Sequence, residues 1–168
     1  MYLELKNVSK EIKRNKVLKN ITIGMEKGRI YGFRGRNGSG KTMLMRIICG
    51  LITASEGEVI INNEVLGKDI SFPRSIGALI ENPEFIDYYT AEKNLRILAS
   101  IKNEIGEHEI KEILSTLDLL TKKKFKTFSL GMKQKLGIAA ALMEKPDIVV
   151  LDEPFNALDE ATVSIVKD

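Results

Sequence analysis

Eight consecutive residues carry the clearest chemistry in the sequence. They are Gly35, Arg36, Asn37, Gly38, Ser39, Gly40, Lys41 and Thr42. A glycine followed after four residues by Gly-Lys-Thr lets successive backbone amides approach phosphate oxygens closely. Lys41 supplies a positive charge for the β- and γ-phosphates, and the hydroxyl of Thr42 is a ligand for Mg²⁺. The segment therefore predicts a site for a nucleoside triphosphate and its magnesium ion.

Two carboxylates near the end of the chain complement this loop. Asp152 and Glu153 follow the apolar run Ile148–Leu151, which predicts a strand covered on both faces. Asp152 can reach the magnesium shell, whereas Glu153 can polarise an attacking water as a general base. The alternative is a solvated acidic turn after a core strand. We expect Lys41 and both acids to converge on one triphosphate.

A third motif precedes these acids and reads Ser129-Leu130-Gly131-Met132-Lys133-Gln134. A serine and a glycine at the start of a helix offer a hydroxyl, a backbone amide and the positive end of the helix dipole. This predicts a second anion-binding surface, although Ser129 alone could equally be an ordinary N-cap.

The elements that position these motifs follow from apolar spacing and turn residues. Short alternating runs predict strands at 3–8, 17–23 and 30–33, the third leading into the glycine loop, and Met43–Cys49 predicts a buried helix after it. Further strands are predicted at 57–61, 75–80 and 147–151. Three helices are predicted in between: from Thr90 to about residue 101, through 110–117, and from Ser129 to about residue 144.

Composition restricts the class of protein. The 168 residues include 26 Lys and Arg, 23 Asp and Glu, and 43% hydrophobic residues, which fits one soluble globular domain. A single cysteine and no leader favour a cytoplasmic location, and no apolar stretch reaches the ~20 residues of a membrane span. The net charge of +3 is small and mixed along the chain, so no nucleic-acid partner is predicted.

One segment departs from this mixed pattern. Lys122, Lys123, Lys124 and Lys126 form a concentrated basic run. Such a run is most often a solvated loop, but it could also meet the phosphate of a lipid or a nucleic acid.

The three motifs together, with Asn156-Ala157-Leu158-Asp159, resemble the ATP-binding domain of ABC transporters. The segment Ile76–Pro83 and the form of the third motif resemble the antibiotic-export and bacitracin-resistance branch. The resemblance implies an α/β fold over residues 1–168 as one domain. This fold has a P-loop NTPase core, an N-terminal antiparallel β subdomain, and a helical subdomain inserted at about residues 84–145.

The resemblance also implies roles for particular residues. Ser129, Gly131 and Lys133 would face the ATP of an opposite cassette, so that two cassettes close over two ATP molecules. Asp159 matches the aspartate that links the two sites, and it could also cap the helix that begins at Glu160. Glu81 occupies the position of a glutamine that senses Mg²⁺ in the family, or is a surface turn residue.

The implied function is an ATP-binding and ATP-hydrolysing subunit that powers transport, with export favoured, through a separate membrane permease. It would lie on the cytoplasmic face of the membrane and pair with a second cassette as a homodimer or heterodimer. The alternatives are a soluble ABC ATPase outside transport and an interaction module that binds nucleotide without hydrolysing it. The chain stops before the family's switch histidine, so we expect a C-terminally truncated domain with weak ATPase activity.

Overall fold

The computed structural model describes residues 1–167, which divide into two compact units. The N-terminal unit is Met1–Ile76, and the C-terminal unit begins at Gly77. The first contains β1 (Leu3–Ile12), β2 (Asn15–Met25), α1 (Lys41–Ile48), β3 (Glu56–Ile61) and β4 (Glu64–Val65). After β5 (Ile76–Leu79), which starts at the boundary, come α2 (Ala91–Lys102), α3 (Glu107–Thr116), a 3₁₀ turn (Phe125–Thr127), α4 (Leu130–Leu142), β6 (Ile148–Leu151) and α5 (Glu160–Lys167).

The N-terminal unit contains a four-stranded sheet in the order β2-β1-β3-β4 with antiparallel pairs. Leu3, Leu5 and Val8 are buried along β1, as the alternation of apolar residues predicts. Gly57 permits a close approach between β3 and β1, because a Cβ there would lie 2.4 Å from two carbonyl oxygens of β1. The antiparallel β region expected at the N-terminus is confirmed.

Helix α1 confirms the predicted buried helix after the glycine loop. Its apolar residues Leu44, Met45, Ile47 and Ile48 are all buried. The adjoining Cys49 is buried as well, and the loss of water raises the pKa of its thiol to about 11. This cysteine is therefore a protonated packing residue at neutral pH.

The prediction of a strand at residues 30–33 is wrong. No strand is assigned between Glu26 and Gly40, and the side chain of Ile30 is 92% exposed. A strand exists only where a neighbouring strand pairs with its amides and carbonyls. Within residues 1–167 no strand pairs with this segment, and side-chain alternation cannot supply such a partner.

The C-terminal unit is mainly helical and surrounds one apolar cluster. Strands β5 and β6 form a two-stranded sheet, and β5 runs against α4. A Cβ on Gly77 would lie 1.7 Å from the carbonyl oxygen of Ala141, and a Cβ on Gly137 would lie 2.7 Å from Leu79. The two glycines therefore allow β5 and α4 to pack almost backbone to backbone.

Strand β6 is less buried than its sequence predicts. Val150 is buried, whereas the neighbouring Val149 is 42% exposed. The expectation of a strand covered on both faces is therefore wrong for the part of the chain that the structure describes. The apolar run does correctly predict the strand itself, which delivers Asp152 to its C-terminal end.

Helix starts agree with the capping residues in the sequence. Thr90 Oγ1 accepts a hydrogen bond from the amide of Lys93 at 3.3 Å at the start of α2. The buried amide of Asn94 fixes the preceding loop through both backbone groups of Ile86. Among the described residues, no helix combines the length and apolarity that a membrane span requires.

Candidate functional site

The phosphate-loop residues lie in the N-terminal unit, where they lead directly into α1. Gly38 and Gly40 have φ of 77° and 93°, a region that glycine enters readily. The amide of Ser39 donates to the carbonyl of Arg36 at 3.1 Å, which closes a tight turn. Lys41 Nζ donates to the carbonyl oxygens of Gly35 and Arg36 at 3.0 and 3.2 Å. The ammonium group thus closes the loop on itself.

The start of α1 is suited to an anion. Its N-cap is Gly40, so no side chain caps the helix, and its first turn contains no acidic residue. Uncapped amides at a helix N-terminus carry the positive end of the dipole and favour phosphate. A larger residue at position 40 would disturb the packing against β2, because a Cβ would lie 2.8 Å from Leu18 Cδ2 and 3.0 Å from the carbonyl oxygen of Val17. Gly40 therefore packs closely against β2.

The two acids lie in the C-terminal unit at the end of β6, and their environments differ. Asp152 is 9% exposed, and its amide donates to the carbonyl of Leu79 at 2.8 Å. Glu153 is exposed and has a φ of 46°. Its carboxylate accepts a hydrogen bond from Asn156 Nδ2 at 2.6 Å. One acid is thus held within the fold, while the other is presented to solvent in a fixed orientation.

Sequence reasoning missed two residues that hold this acidic turn. Asn156 is one of them, and Gln134 in α4 is the other: its side-chain amide donates to the carbonyls of Glu153 and Pro154 at 3.4 and 3.2 Å. Gln134 is buried on a largely apolar helix. A buried amide must find hydrogen-bond partners, so this residue carried a signal for such a contact.

The third motif begins α4 as predicted. Ser129 is the N-cap, and its hydroxyl accepts from the amide of Met132 at 3.2 Å. Gly131 faces the turn after the acids, since a Cβ there would lie 2.6 Å from the carbonyl oxygen of Ala157. Lys133 Nζ lies 4.9 Å from the ring centroid of Phe125. The motif and the acidic turn are therefore neighbours within one unit.

Asp159 is the N-terminal cap of α5. Its Oδ1 accepts from the amide and the hydroxyl of Thr162 at 2.8 and 2.9 Å. These hydrogen bonds stabilise the charged form and lower the pKa of the carboxyl group. Lys135 forms a 3.6 Å ion pair with the same side chain, which ties α4 to the start of α5. The capping role expected for Asp159 is present.

The predicted magnesium ligands have suitable chemistry. Thr42 is half-buried in the first turn of α1, and Asp152 is a buried carboxylate. Glu81 is exposed at the end of β5 and has a φ of 62°. Hydroxyl and carboxylate oxygens are the donors that Mg²⁺ prefers, so these residues fit that ion.

Comparison with known proteins supports the same family as these motifs. A family model described as ABC transporter matches residues 18–156. The uncharacterised ABC transporter ATP-binding protein YybJ of Bacillus subtilis is 49% identical over 168 residues, covering 99% of this chain and 77% of its own length. The bacitracin transport ATP-binding protein BcrA of Bacillus licheniformis is 43% identical, covering 86% of this chain and 48% of its own length.

A solved structure also matches the chain. The ATP-binding cassette MJ0796, described as a dimer in a post-hydrolysis state with ADP and Pi, has a TM-score of 0.85 at 26% identity. The match covers 98% of this chain and 79% of that one. The chain spans about half the length of several curated relatives that it matches. From its motifs and these similarities, the chain belongs to the ABC transporter family, as an ATP-binding domain.

Proposed function

We propose that this chain binds and hydrolyses ATP to power transport through a separate membrane permease. The observation that carries the proposal is the phosphate loop, in which an uncapped helix N-terminus and Lys41 adjoin three glycines in a member of this family. Members of this family are ATPases. The backbone amides of this loop bind the phosphate chain, and Lys41 exchanges its bonds to the loop carbonyls for bonds to phosphate oxygens.

The acids complete the proposed site. Thr42 and Asp152 hold Mg²⁺, with Glu81 as a third candidate ligand. When bound, that ion neutralises charge on the phosphates. Glu153 accepts a proton from the attacking water, and its hydrogen bond from Asn156 orients the carboxylate for this task.

We also propose that two cassettes act together. Ser129, Gly131 and Lys133 face the nucleotide of the second cassette, and Asp159 lies where the two sites communicate. The dimeric state of MJ0796 supports this arrangement. The uncapped amides that remain beside Ser129 at the start of α4 are suited to an anion. The second cassette is a copy of this chain or a related one. Residues 84–145 are proposed as the helical subdomain of each.

We also propose a permease partner and an export direction, and the names of two relatives support a role in transport. BcrA is named for bacitracin transport, and the SrtF protein of Streptococcus pyogenes is named for lantibiotic transport. We propose a peripheral position on the cytoplasmic face of the membrane, where the permease would be reached. The cargo would be selected by that permease.

The test uses the natural protein that contains this chain, purified from solubilised membranes. We expect Mg²⁺-dependent ATP hydrolysis, its loss in Lys41→Ala, and co-purification of a protein with several spanning helices. Hydrolysis that persists at an unchanged rate in Lys41→Ala would overturn the proposal. Intact hydrolysis without a membrane partner would indicate a soluble ABC ATPase, and binding without hydrolysis would indicate an interaction module.

A further inference from the structure

One face of α4 carries three residues that contact the acidic turn, residues 152–159. They are Gly131, Gln134 and Lys135, whose spacing of three and four positions places them on the same side of the helix. At Gly131 the contact is with the backbone of the turn, since a Cβ there would lie 2.6 Å from the carbonyl oxygen of Ala157. Lys135 Nζ lies 3.6 Å from Asp159 Oδ2 at the end of the turn. The turn is therefore seated against this face of α4 at several points.

Gln134 makes the contact nearest to the proposed general base. Its Nε2 donates to the carbonyl oxygens of Glu153 and Pro154 at 3.4 and 3.2 Å. The Gln134 residue is 7% exposed, so water competes little for these hydrogen bonds. The carbonyl oxygen of Glu153 also accepts from the amide of Asn156 at 3.2 Å. The backbone of Glu153 is thus held both from within the turn and from α4.

The backbone conformation of Glu153 explains why this support matters. Its φ of 46° lies in the left-handed region, which is unfavourable for a residue with a side chain. Ala157 in the same turn is also left-handed, with a φ of 61°. Such conformations persist only where the surrounding structure fixes them. Because the backbone angles set the direction of the Cα–Cβ bond, a change of φ at Glu153 would redirect its carboxylate.

We propose that Gln134 is a positioning residue for ATP hydrolysis, because it holds the backbone of Glu153 so that the carboxylate meets the attacking water. This inference rests on the proposed function, in which Glu153 is the general base. Asn156 bonds the carboxylate itself, whereas Gln134 acts through the main chain. Both hydrogen bonds described for the Gln134 amide nitrogen end on the acidic turn, so its loss should affect the chemical step rather than nucleotide binding.

The main test variant is Gln134→Met, which keeps the approximate size of the side chain and removes both donated hydrogen bonds. We expect kcat of the natural protein to fall about tenfold, while KM and the affinity for Mg-ATP stay within about twofold of the parent. Thr116→Val is the matched control. It removes a hydroxyl that donates to the carbonyl of Glu112 on α3, and it should leave kcat within about twofold of the parent.

A second comparison separates positioning from general support of the fold. In Glu153→Gln the proton acceptor is absent, so the direction of that side chain no longer limits the rate. Adding Gln134→Met to Glu153→Gln should therefore change the residual single-turnover rate by less than about twofold. A further tenfold fall in the double variant would overturn the proposal. An unchanged kcat in Gln134→Met, or an equal fall in Thr116→Val, would overturn it as well.

Amide hydrogen exchange gives a readout that does not depend on hydrolysis. The amides of Asn156 and Leu158 donate to carbonyls within the turn at 3.2 and 3.3 Å. In Gln134→Met they should exchange about fivefold faster, while the amides of α4 exchange as in the parent. If Gln134→Met does not fold, Gln134→Asn, which shortens the donor, should change exchange and kcat in the same direction.

Unchanged exchange in the turn would overturn the proposal even if the parent is an active ATPase. A parent protein that does not hydrolyse ATP would instead overturn the proposed function, and the exchange result would still decide whether Gln134 holds the turn.

Discussion

The phosphate loop and the acidic turn are both candidate reaction elements, but they are built in different ways. The loop at residues 35–42 takes its shape from glycine backbone angles and from the bonds of Lys41 to its own carbonyls. The acidic turn at residues 152–159 is held by side chains, notably Asn156 and Gln134. The loop should therefore be sensitive to backbone changes, whereas the turn should be sensitive to the loss of single hydrogen bonds.

The largest effect is expected from changing the exposed acid itself. Glu153→Gln keeps the size of the side chain and its bond to Asn156 but removes the proton acceptor. We expect the rate of ATP hydrolysis by the natural protein to fall by about 10²–10⁴-fold. Steady-state turnover measures this. A rate within threefold of the parent would contradict a general-base role for Glu153.

Removing the partner of Glu153 should have a smaller effect. Asn156→Ala deletes a hydrogen bond to a charged group, worth about 1.5–3 kcal/mol, so kcat should fall roughly 10- to 100-fold with KM little changed. Asn103→Ala is the control, since it removes an exposed asparagine from the end of α2. A fall in KM alone, or an equal effect in the control, would show that Asn156 does not position the carboxylate.

Substitutions at two glycines test whether the phosphate loop depends on its backbone conformation and packing. Gly40→Ala adds a Cβ to a left-handed residue that already touches β2, so the free energy of unfolding should fall by about 1–3 kcal/mol. Gly38→Ala is the matched control, because its φ is similar and a Cβ there meets nothing within 4 Å. Urea unfolding of both variants gives the difference. Equal losses would mean that the contact with β2 does not matter.

A feature of these two regions could be predicted from the sequence when residues close to it in the chain determine it. Gly38, Gly40 and the caps Thr90 and Ser129 act over a few residues, so their patterns correctly predicted the positive φ values and the helix starts. The bond from Gln134 to the acidic turn joins residues about twenty positions apart, and no local pattern specifies it. Asn156 lies only three residues after Glu153, so a hydrogen bond between the two side chains within this turn could have been predicted from the sequence.

The wrong prediction of a strand at residues 30–33 and the unexpected exposure of β6 have the same physical origin. Apolar alternation reports which side chains favour burial, but pairing and covering depend on neighbours from elsewhere in the fold. Among the described residues, the side chain of Ile30 is 92% exposed and that of Val149 is 42% exposed.

The smallest predicted effect concerns pH and Asp159. Its pKa is lowered in the folded state by hydrogen bonds from Thr162, so the charged form stabilises the fold above the ordinary value of 3.8. That contribution is lost as the pH falls through the lower folded-state pKa. Asp159→Asn retains a capping side chain. It should therefore be slightly less stable than the parent at pH 7 and equally stable near pH 2.

Urea unfolding at both pH values checks this, with Asp118→Asn as an exposed control. If the difference in unfolding free energy between Asp159→Asn and the parent stays constant with pH, the charge of Asp159 does not contribute to stability.

We assign nucleotide binding to the loop and proton transfer to the turn. The most direct test of these two roles is equilibrium binding of Mg-ATP to Lys41→Ala and Glu153→Gln, measured by calorimetry on the natural protein. We predict that Lys41→Ala weakens binding at least about tenfold, since a bond to a charged group is lost, while Glu153→Gln binds within about twofold of the parent. Equal affinities in the two variants, or weaker binding in Glu153→Gln than in Lys41→Ala, would contradict this assignment of roles.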